Sequence, residues 1–311
     1  MDGLCSVSRS VRMLPCHRHS AMILCRCFPI IAAFLLLAFG LPAAEPGIRR
    51  GSLVIVGGGE RPGPIQQRFL RLAGGPTGAR VAVIPLASSD PEAAGESQTA
   101  EFRSFGATNT VVLRFSREQA MDPATSRLLD GTTGVFFTGG DQARLATFIV
   151  GTPLAERLHQ LYDQEGAVIG GTSAGAAIMS RIMITGDQRG EPDRKDDFAV
   201  IRRGATLTST GLGFVTNAIV DQHFIARRRE NRLLGLVLEN PALLGVGIDE
   251  STALVITPEG RWEVVGDGSV MVFDARGSMV AETAPRQNLG ARDLRLHLLL
   301  PGDSFDPAAS R

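Results

Sequence analysis

Cysteine is missing from most of this 311-residue chain, because Cys5, Cys16, Cys25 and Cys27 all fall within the first 44 residues. A mature protein starting beyond them would hold no thiol, which excludes disulfides and cysteine catalysis. Lysine is nearly absent as well. Lys195 is the only one, so any cationic site must be built from arginine. Aromatic residues make up 5%, with one Trp and one Tyr. No internal repeat, linker or low-complexity tract interrupts residues 50–300, which points to one folded domain. With 44% hydrophobic and 21% charged residues the composition is that of an ordinary globular protein, neither disordered nor fibrous.

No apolar run is long enough for a membrane span. The longest, Phe28–Leu41, has fourteen residues, short of the roughly 20 that a helix needs to cross a bilayer. It follows Arg9, Arg12, Arg18 and Arg26, which face a single acid, Asp2, and it precedes the small residues Ala43 and Ala44. This is the layout of a signal peptide. Residues 1–44 are therefore expected to be a removed leader and 45–311 a single α/β domain, secreted or periplasmic, with no stable membrane anchor. No Cys follows the apolar run to accept a lipid, and Met22 offers an alternative start that gives a leader of more usual length. Loss of the leader leaves 28 basic against 31 acidic residues, a net charge of −3. That balance argues against a nucleic-acid partner.

Short β-branched runs alternate with amphipathic stretches: Leu53–Val56, Arg80–Leu86, Asn109–Leu113, Gly134–Thr138 and Ala167–Gly170 read as buried strands. Pro153–Glu165 reads as a helix with Leu154, Leu158 and Leu161 on one face. This alternation predicts a mostly parallel sheet sandwiched by helices. Beyond residue 244, Thr252–Thr257, Arg261–Val265 and Ser269–Asp274 are joined by Pro-Glu-Gly and Gly-Asp-Gly turns, and are expected as antiparallel additions to the same sheet.

Gly171-Thr172-Ser173-Ala174-Gly175 stands between a strand and an apolar stretch, Ala176–Met179, that can start a helix. Strand, tight turn and helix are the context of a nucleophile elbow, which lifts a serine hydroxyl above the sheet; an ordinary turn is the plainer reading. Such a serine needs a base, and beyond the leader the chain holds only His159, His223 and His297. His159 is expected to be a solvated position on the surface of its helix. His297, in the apolar run Leu294–Leu300, is expected to be a satisfied core or strand residue. His223 is left, at the C-terminal end of a strand pattern, where α/β sheets place their ligands.

An imidazole base needs a carboxylate to orient it, and Asp249 and Glu250 both end another strand pattern, so that spacing does not choose between them. In the turn Thr138-Gly139-Gly140-Asp141-Gln142 the backbone N–H groups offer half of an oxyanion hole, and Ala174 N–H the other half; a plain strand-to-helix turn is the alternative. Gly57-Gly58-Gly59-Glu60 looks like a dinucleotide loop but has Pro62 where the third glycine belongs, so a nicotinamide site is rejected. Arg227-Arg228-Arg229-Glu230-Asn231-Arg232 gathers four guanidinium groups beside the base, opening the next helix. Guanidinium forks grip carboxylates, so the run points to an acidic substrate; a solvated helix face is the bland reading.

Taken together, VIVGGGE, FFTGGDQARL, GGTSAGAA, IVDQHFIARRRENRL and GVGIDESTAL, in that order over about residues 50–306, resemble the serine peptidase family of the cyanophycinases, which also holds the aspartyl dipeptidases. The resemblance implies Ser173 as nucleophile, His223 as base and Glu250 as orienting acid, with the Gly140 and Ala174 amides at the oxyanion. It implies Gln142, Asp221, Gln222, Arg227, Arg229 and Arg232 as the pocket for a β-aspartyl-arginine unit. It further implies a sandwich akin to the class I glutamine amidotransferases, usually dimeric, without metal or cofactor, acting on cyanophycin or another aspartyl peptide. The rival readings are an aspartyl dipeptidase with a different pocket, an esterase with His297 as base, and a binding protein that keeps the fold without the chemistry.

Overall fold

The computed structural model describes residues 50–188 and 199–309. The expected leader, its four cysteines and Lys195 lie outside the described residues. Five strands come first: β1 (Ser52–Val56), β2 (Arg80–Ile84), β3 (Asn109–Val112), β4 (Gly134–Phe137) and β5 (Val168–Thr172). They run parallel, side by side in the order β3-β2-β4-β5-β1. β1 is buried along its whole length, which is why its Leu-Val-Ile-Val core shows no alternation. β3 differs from the expectation of a buried strand. It is the edge of the sheet, and Val111 is 45% exposed.

The helices between them start where their sequences say they should. α1 (Gly63–Leu72) follows β1 and α2 (Pro91–Ser104) follows β2, the latter opening with Asp90 accepting a hydrogen bond from Ala93 N. A short α3 (Arg117–Met121) precedes β4. After β4, Asp141 caps α4 (Gln142–Ile149) by accepting from the amides of Ala143 and Arg144. Thr152 and Pro153 open α5 (Pro153–Asp163). α6 (Ala174–Ala177) is one turn, and α7 (Glu230–Glu239) is the last helix.

The second half of the chain builds two further pieces of sheet. β6 (Ile182–Gln188) and β7 (Thr206–Thr210) form an antiparallel pair. β8 (Ala218–Gln222) lies parallel to β9 (Leu244–Ile248). β10 (Thr252–Ile256) and β11 (Trp262–Gly266) then return to the first sheet as antiparallel neighbours of β1, as expected. β12 (Val270–Asp274) does not follow them. It pairs with β9, and so the Ser269–Asp274 segment belongs to a second sheet and is not an addition to the first. A small pair, β13 (Met279–Val280) and β14 (Ala291–Arg292), precedes β15 (Arg295–Leu299), which edges this second sheet. Last, β16 (Ser304–Phe305) pairs with β11.

The first sheet is thus covered on both faces. On one, Phe69 of α1 stacks on Phe102 of α2, with Phe136 of β4 edge-on to both. On the other, Leu145, Leu158 and Ala176 of α4, α5 and α6 share a core with Val246 and Val272 of the second sheet. α7 closes the far face of the second sheet through Leu233 and Val237, against Ile219 and Phe273. Among the described residues no helix is long and apolar enough to cross a membrane.

Candidate active site

Ser173 takes φ 55° and ψ −112° between β5 and α6, a backbone conformation that costs a non-glycine residue of order 1–3 kcal/mol. Its neighbours show why the turn reads Gly-x-Ser-x-Gly. A β-carbon on Gly171 would stand 2.5 Å from Gly175 O, and one on Gly175 would stand 2.3 Å from Phe137 O. Only glycine fits at either place, so the serine is thrown out of the sheet with its hydroxyl free to meet a partner.

That partner is His223, the residue directly after β8. Its Nε2 lies 2.8 Å from Ser173 Oγ and its Nδ1 lies 2.5 Å from Glu250 Oε1. The ring is buried, while Glu250 is partly open. Glu250 rather than Asp249 therefore faces the imidazole. Asp249 Oδ1 instead accepts the amide of Ala226 at 3.0 Å, fixing the turn that follows His223. Burial holds the His223 pKa below the ordinary imidazole value, and Arg227 and Arg229 push the same way, against the hydrogen bond that Glu250 accepts from the ring. A neutral imidazole between a hydroxyl and a carboxylate can take the hydroxyl proton during attack and remain charge-balanced afterwards.

The other two histidines stand elsewhere. His159 is half-buried on α5, its Nε2 2.8 Å from Leu212 O and its ring against Phe214, so it is not the solvated residue the helix pattern predicts. His297 sits on β15 with its ring 4.9 Å from that of Phe305. Its Nε2 is buried without a protein partner among the described residues, which corrects the expectation of a satisfied imidazole. The imidazole at Ser173 Oγ is that of His223 and not, as the esterase reading requires, that of His297.

On the far side of the serine, Gly139 is close enough that a β-carbon there would stand 3.9 Å from Ser173 Oγ. Gly140 follows, with φ 140°. Ala174, whose amide is the other expected oxyanion donor, directly follows Ser173 at the start of α6. Gln142 is buried and donates through Nε2 to Ile184 O at 3.0 Å and Thr185 O at 2.6 Å, tying α4 to β6.

The arginines form a graded stack. Arg232 is 2% exposed and grips Asp221, itself 1% exposed, through Nε at 2.6 Å and through Nη2. Arg229 donates to Gln222 O at 2.7 Å and to Gln222 Oε1, 3.8 Å from the Asp221 carboxylate. Burial, with Arg232 beside it, pulls the Arg229 pKa down to about 10. Arg227 and Arg228 are exposed. α7 begins only at Glu230, so residues 224–228 are a turn, with Arg228 at φ 51°, and not the opening of a helix. Arg232 is a buried partner of Asp221, Arg229 is partly open, and Arg227 and Arg228 face the solvent.

Sequence reading missed the end of β1. Val56 O accepts from Ser173 N at 3.0 Å, Gly57 O from His223 N at 2.6 Å and Gly58 O from Ser251 N at 2.9 Å. The signal was the run of three glycines, read as a rejected nucleotide loop and as part of the VIVGGGE segment of the family resemblance, but not as a support for the triad. Among the described residues no group of three or more His, Cys, Asp or Glu is placed to hold a metal ion.

A buried histidine bridging an elbow serine and a carboxylate, above a parallel α/β sheet, is the arrangement of a serine hydrolase. Residues 53–262 match peptidase family S51, and the chain belongs to that family; it is a serine-type peptidase. It is 37% identical over 264 residues to a cyanophycinase of Geminocystis herdmanii, covering 83% of this chain and 94% of that one. A cyanophycinase of Nostoc sp. is 34% identical over 277 residues, 87% of this chain and 90% of its own. The fold matches the crystal structure of a peptidase from an acI-B1 Actinobacterium with a TM-score of 0.59 and 23% identity, over 83% of this chain and 98% of that one.

Proposed function

We propose that this peptidase is a secreted serine exopeptidase that hydrolyses cyanophycin, multi-L-arginyl-poly-L-aspartate, to β-aspartyl-arginine dipeptides. The observation that carries the reading is the unbroken hydrogen-bond chain from Ser173 through His223 to Glu250, with Arg227 and Arg229 beside it. The cyanophycinases among its relatives supply the substrate.

Ser173 Oγ attacks the carbonyl of the aspartyl amide bond while His223 Nε2 takes its proton, and Glu250 steadies the imidazolium. The Gly140 and Ala174 amides hold the oxyanion. The proton then passes from His223 to the leaving amine, and water attacks the acyl-enzyme by the reverse path. Arg227 and Arg229 receive aspartate carboxylates of the polymer. A guanidinium weakened by burial and by cationic neighbours gains most from an anionic ligand. Gln222 and the Asp221–Arg232 pair hold Arg229 in place, and Gln142 shapes the wall next to β6. An aspartyl dipeptidase would share the triad and differ in this pocket.

In this reading the leader takes the enzyme out of the cytoplasm, where it scavenges polymer released by other cells. The working form is a homodimer, as the family resemblance implies. Leu296 and Leu298 on the edge strand β15 and Leu300 just after it, each more than half exposed, offer an apolar face for a second copy to cover.

A small fluorophosphonate tests the chemistry. It should form one covalent adduct, located on Ser173 by peptide mass spectrometry and absent from Ser173→Ala. A wild-type chain that never reacts would favour a binding protein that has kept only the fold.

A further inference from the structure

We propose that the turn Gly57–Gly59 at the end of β1 is the template that sets the triad's geometry, with its glycines as positioning residues. The inference rests on the reading of Ser173, His223 and Glu250 as the working triad.

Three successive carbonyls, from the last residue of β1 into this turn, register the three segments that carry the triad. Val56 O holds Ser173 N, Gly57 O holds His223 N, and Gly58 O holds Ser251 N, next to Glu250. Gly57 N in turn donates to Thr252 O at 2.9 Å. One strand end thus fixes backbone positions that come from β5, β8 and the β9–β10 connection.

The missing side chains matter as much as the carbonyls. A β-carbon on Gly58 would stand 2.2 Å from Cε1, 2.4 Å from Nε2 and 2.7 Å from Nδ1 of the His223 ring. One on Gly59 would stand 2.8 Å from Glu250 Cβ. The Gly58 backbone is therefore a flat plate against the imidazole, and the ring cannot tip toward it without a clash. Glycine is required twice over, because Gly58 has φ 107° and Gly59 has φ 69°.

The far end of the turn is anchored too. Arg61 donates to Glu101 Oε2 of α2 through Nε at 3.0 Å and Nη2 at 2.5 Å. The same carboxylate accepts from Gln66 at 2.7 Å and Gln98 at 3.3 Å. Glu101 thus ties the turn to both helices on that face of the sheet.

The test compares Gly58→Ala with Gly74→Ala. Gly74 has nearly the same φ, 106°, but a β-carbon there would meet nothing closer than 3.7 Å. Both variants carry the strain of an alanine at positive φ; only one touches the imidazole. For Gly58→Ala, the rate of Ser173 phosphonylation and kcat on peptide substrate should both fall about a hundredfold, the cost of misplacing a reacting group by roughly 1 Å. KM should stay within about threefold, since ground-state binding is untouched. Gly74→Ala should lose thermal stability and keep serine reactivity.

Glu101→Gln, which loosens the anchor without a clash, should lower phosphonylation about tenfold at unchanged KM. It decides the matter if Gly58→Ala fails to fold. Wild-type reactivity in Gly58→Ala, or an equal loss in Gly74→Ala, would overturn the template. If Gly58→Ala cannot be made, unchanged reactivity in Glu101→Gln would do so. A wild-type Ser173 that takes no label at all would sink the triad reading instead, so the two failures are distinguishable.

Discussion

At the scale of single residues, His223 carries the account, because its protonation state decides whether Ser173 can be activated. The base must be neutral, and burial, Arg227 and Arg229 hold its pKa below the ordinary imidazole value. The acid limb of kcat/KM against pH should therefore lie below that value, with activity rising as pH increases through it and level by neutrality. A limb at or above the ordinary value would contradict this. Arg227→Ala removes one of the cations that lower the pKa, so the limb should move to higher pH. The same arginines separate binding from support. Arg227→Ala should lower kcat/KM at least thirtyfold, roughly 2 kcal/mol, with unfolding stability unchanged within about 0.5 kcal/mol. Arg232→Ala should instead destabilise the fold by about 3–5 kcal/mol, because it strands the Asp221 carboxylate in a dry interior. Arg228→Ala, at an exposed position with no assigned partner in the pocket, should change neither. Chemical unfolding beside steady-state kinetics reads both quantities.

At the scale of elements, β15 makes the clearest claim about assembly. Leu296, Leu298 and Leu300 alternate outward from an unpaired sheet edge at 55%, 57% and 55% exposure. An edge strand left open with leucines is a pairing surface in need of cover. Leu298→Glu should convert a dimer into a monomer by light scattering, with fluorophosphonate reactivity kept; a dimer that persists would place the interface elsewhere. Other elements show how far the sequence could be read. The strands of the parallel core were legible because burial on both faces writes an unbroken apolar run, as in β1. The elbow was legible because Gly171 and Gly175 have no steric alternative. β12 was not, since Val270–Asp274 is equally apolar whether it joins β11 or β9, and that choice is made by the packing of the second sheet on α4–α6. The nesting of Arg232 under Arg229 was also hidden. A run of arginines states charge and spacing, whereas burial depends on a helix that starts only at Glu230. The role proposed for Gly57–Gly59 was only half legible: three successive glycines mark a tight turn, but a residue that acts by having no side chain does not say what it faces.

At the scale of the whole molecule, we propose a peptidase exported to meet an acidic, arginine-bearing polymer. Protein recovered outside the cytoplasm should begin between about residues 38 and 50, the zone expected for leader removal. An intact chain retaining Cys5 inside the cell would contradict export. The exported chain should also be indifferent to iodoacetamide, having no cysteine beyond Cys27. The central claim is substrate and chemistry together, and one measurement addresses both: purified mature chain incubated with insoluble cyanophycin, with soluble products identified by mass spectrometry. The wild type should release β-aspartyl-arginine as the main product, and Ser173→Ala should release it more slowly by roughly three to six orders of magnitude. No dipeptide from the wild type, or release from Ser173→Ala within about tenfold of it, would contradict the account.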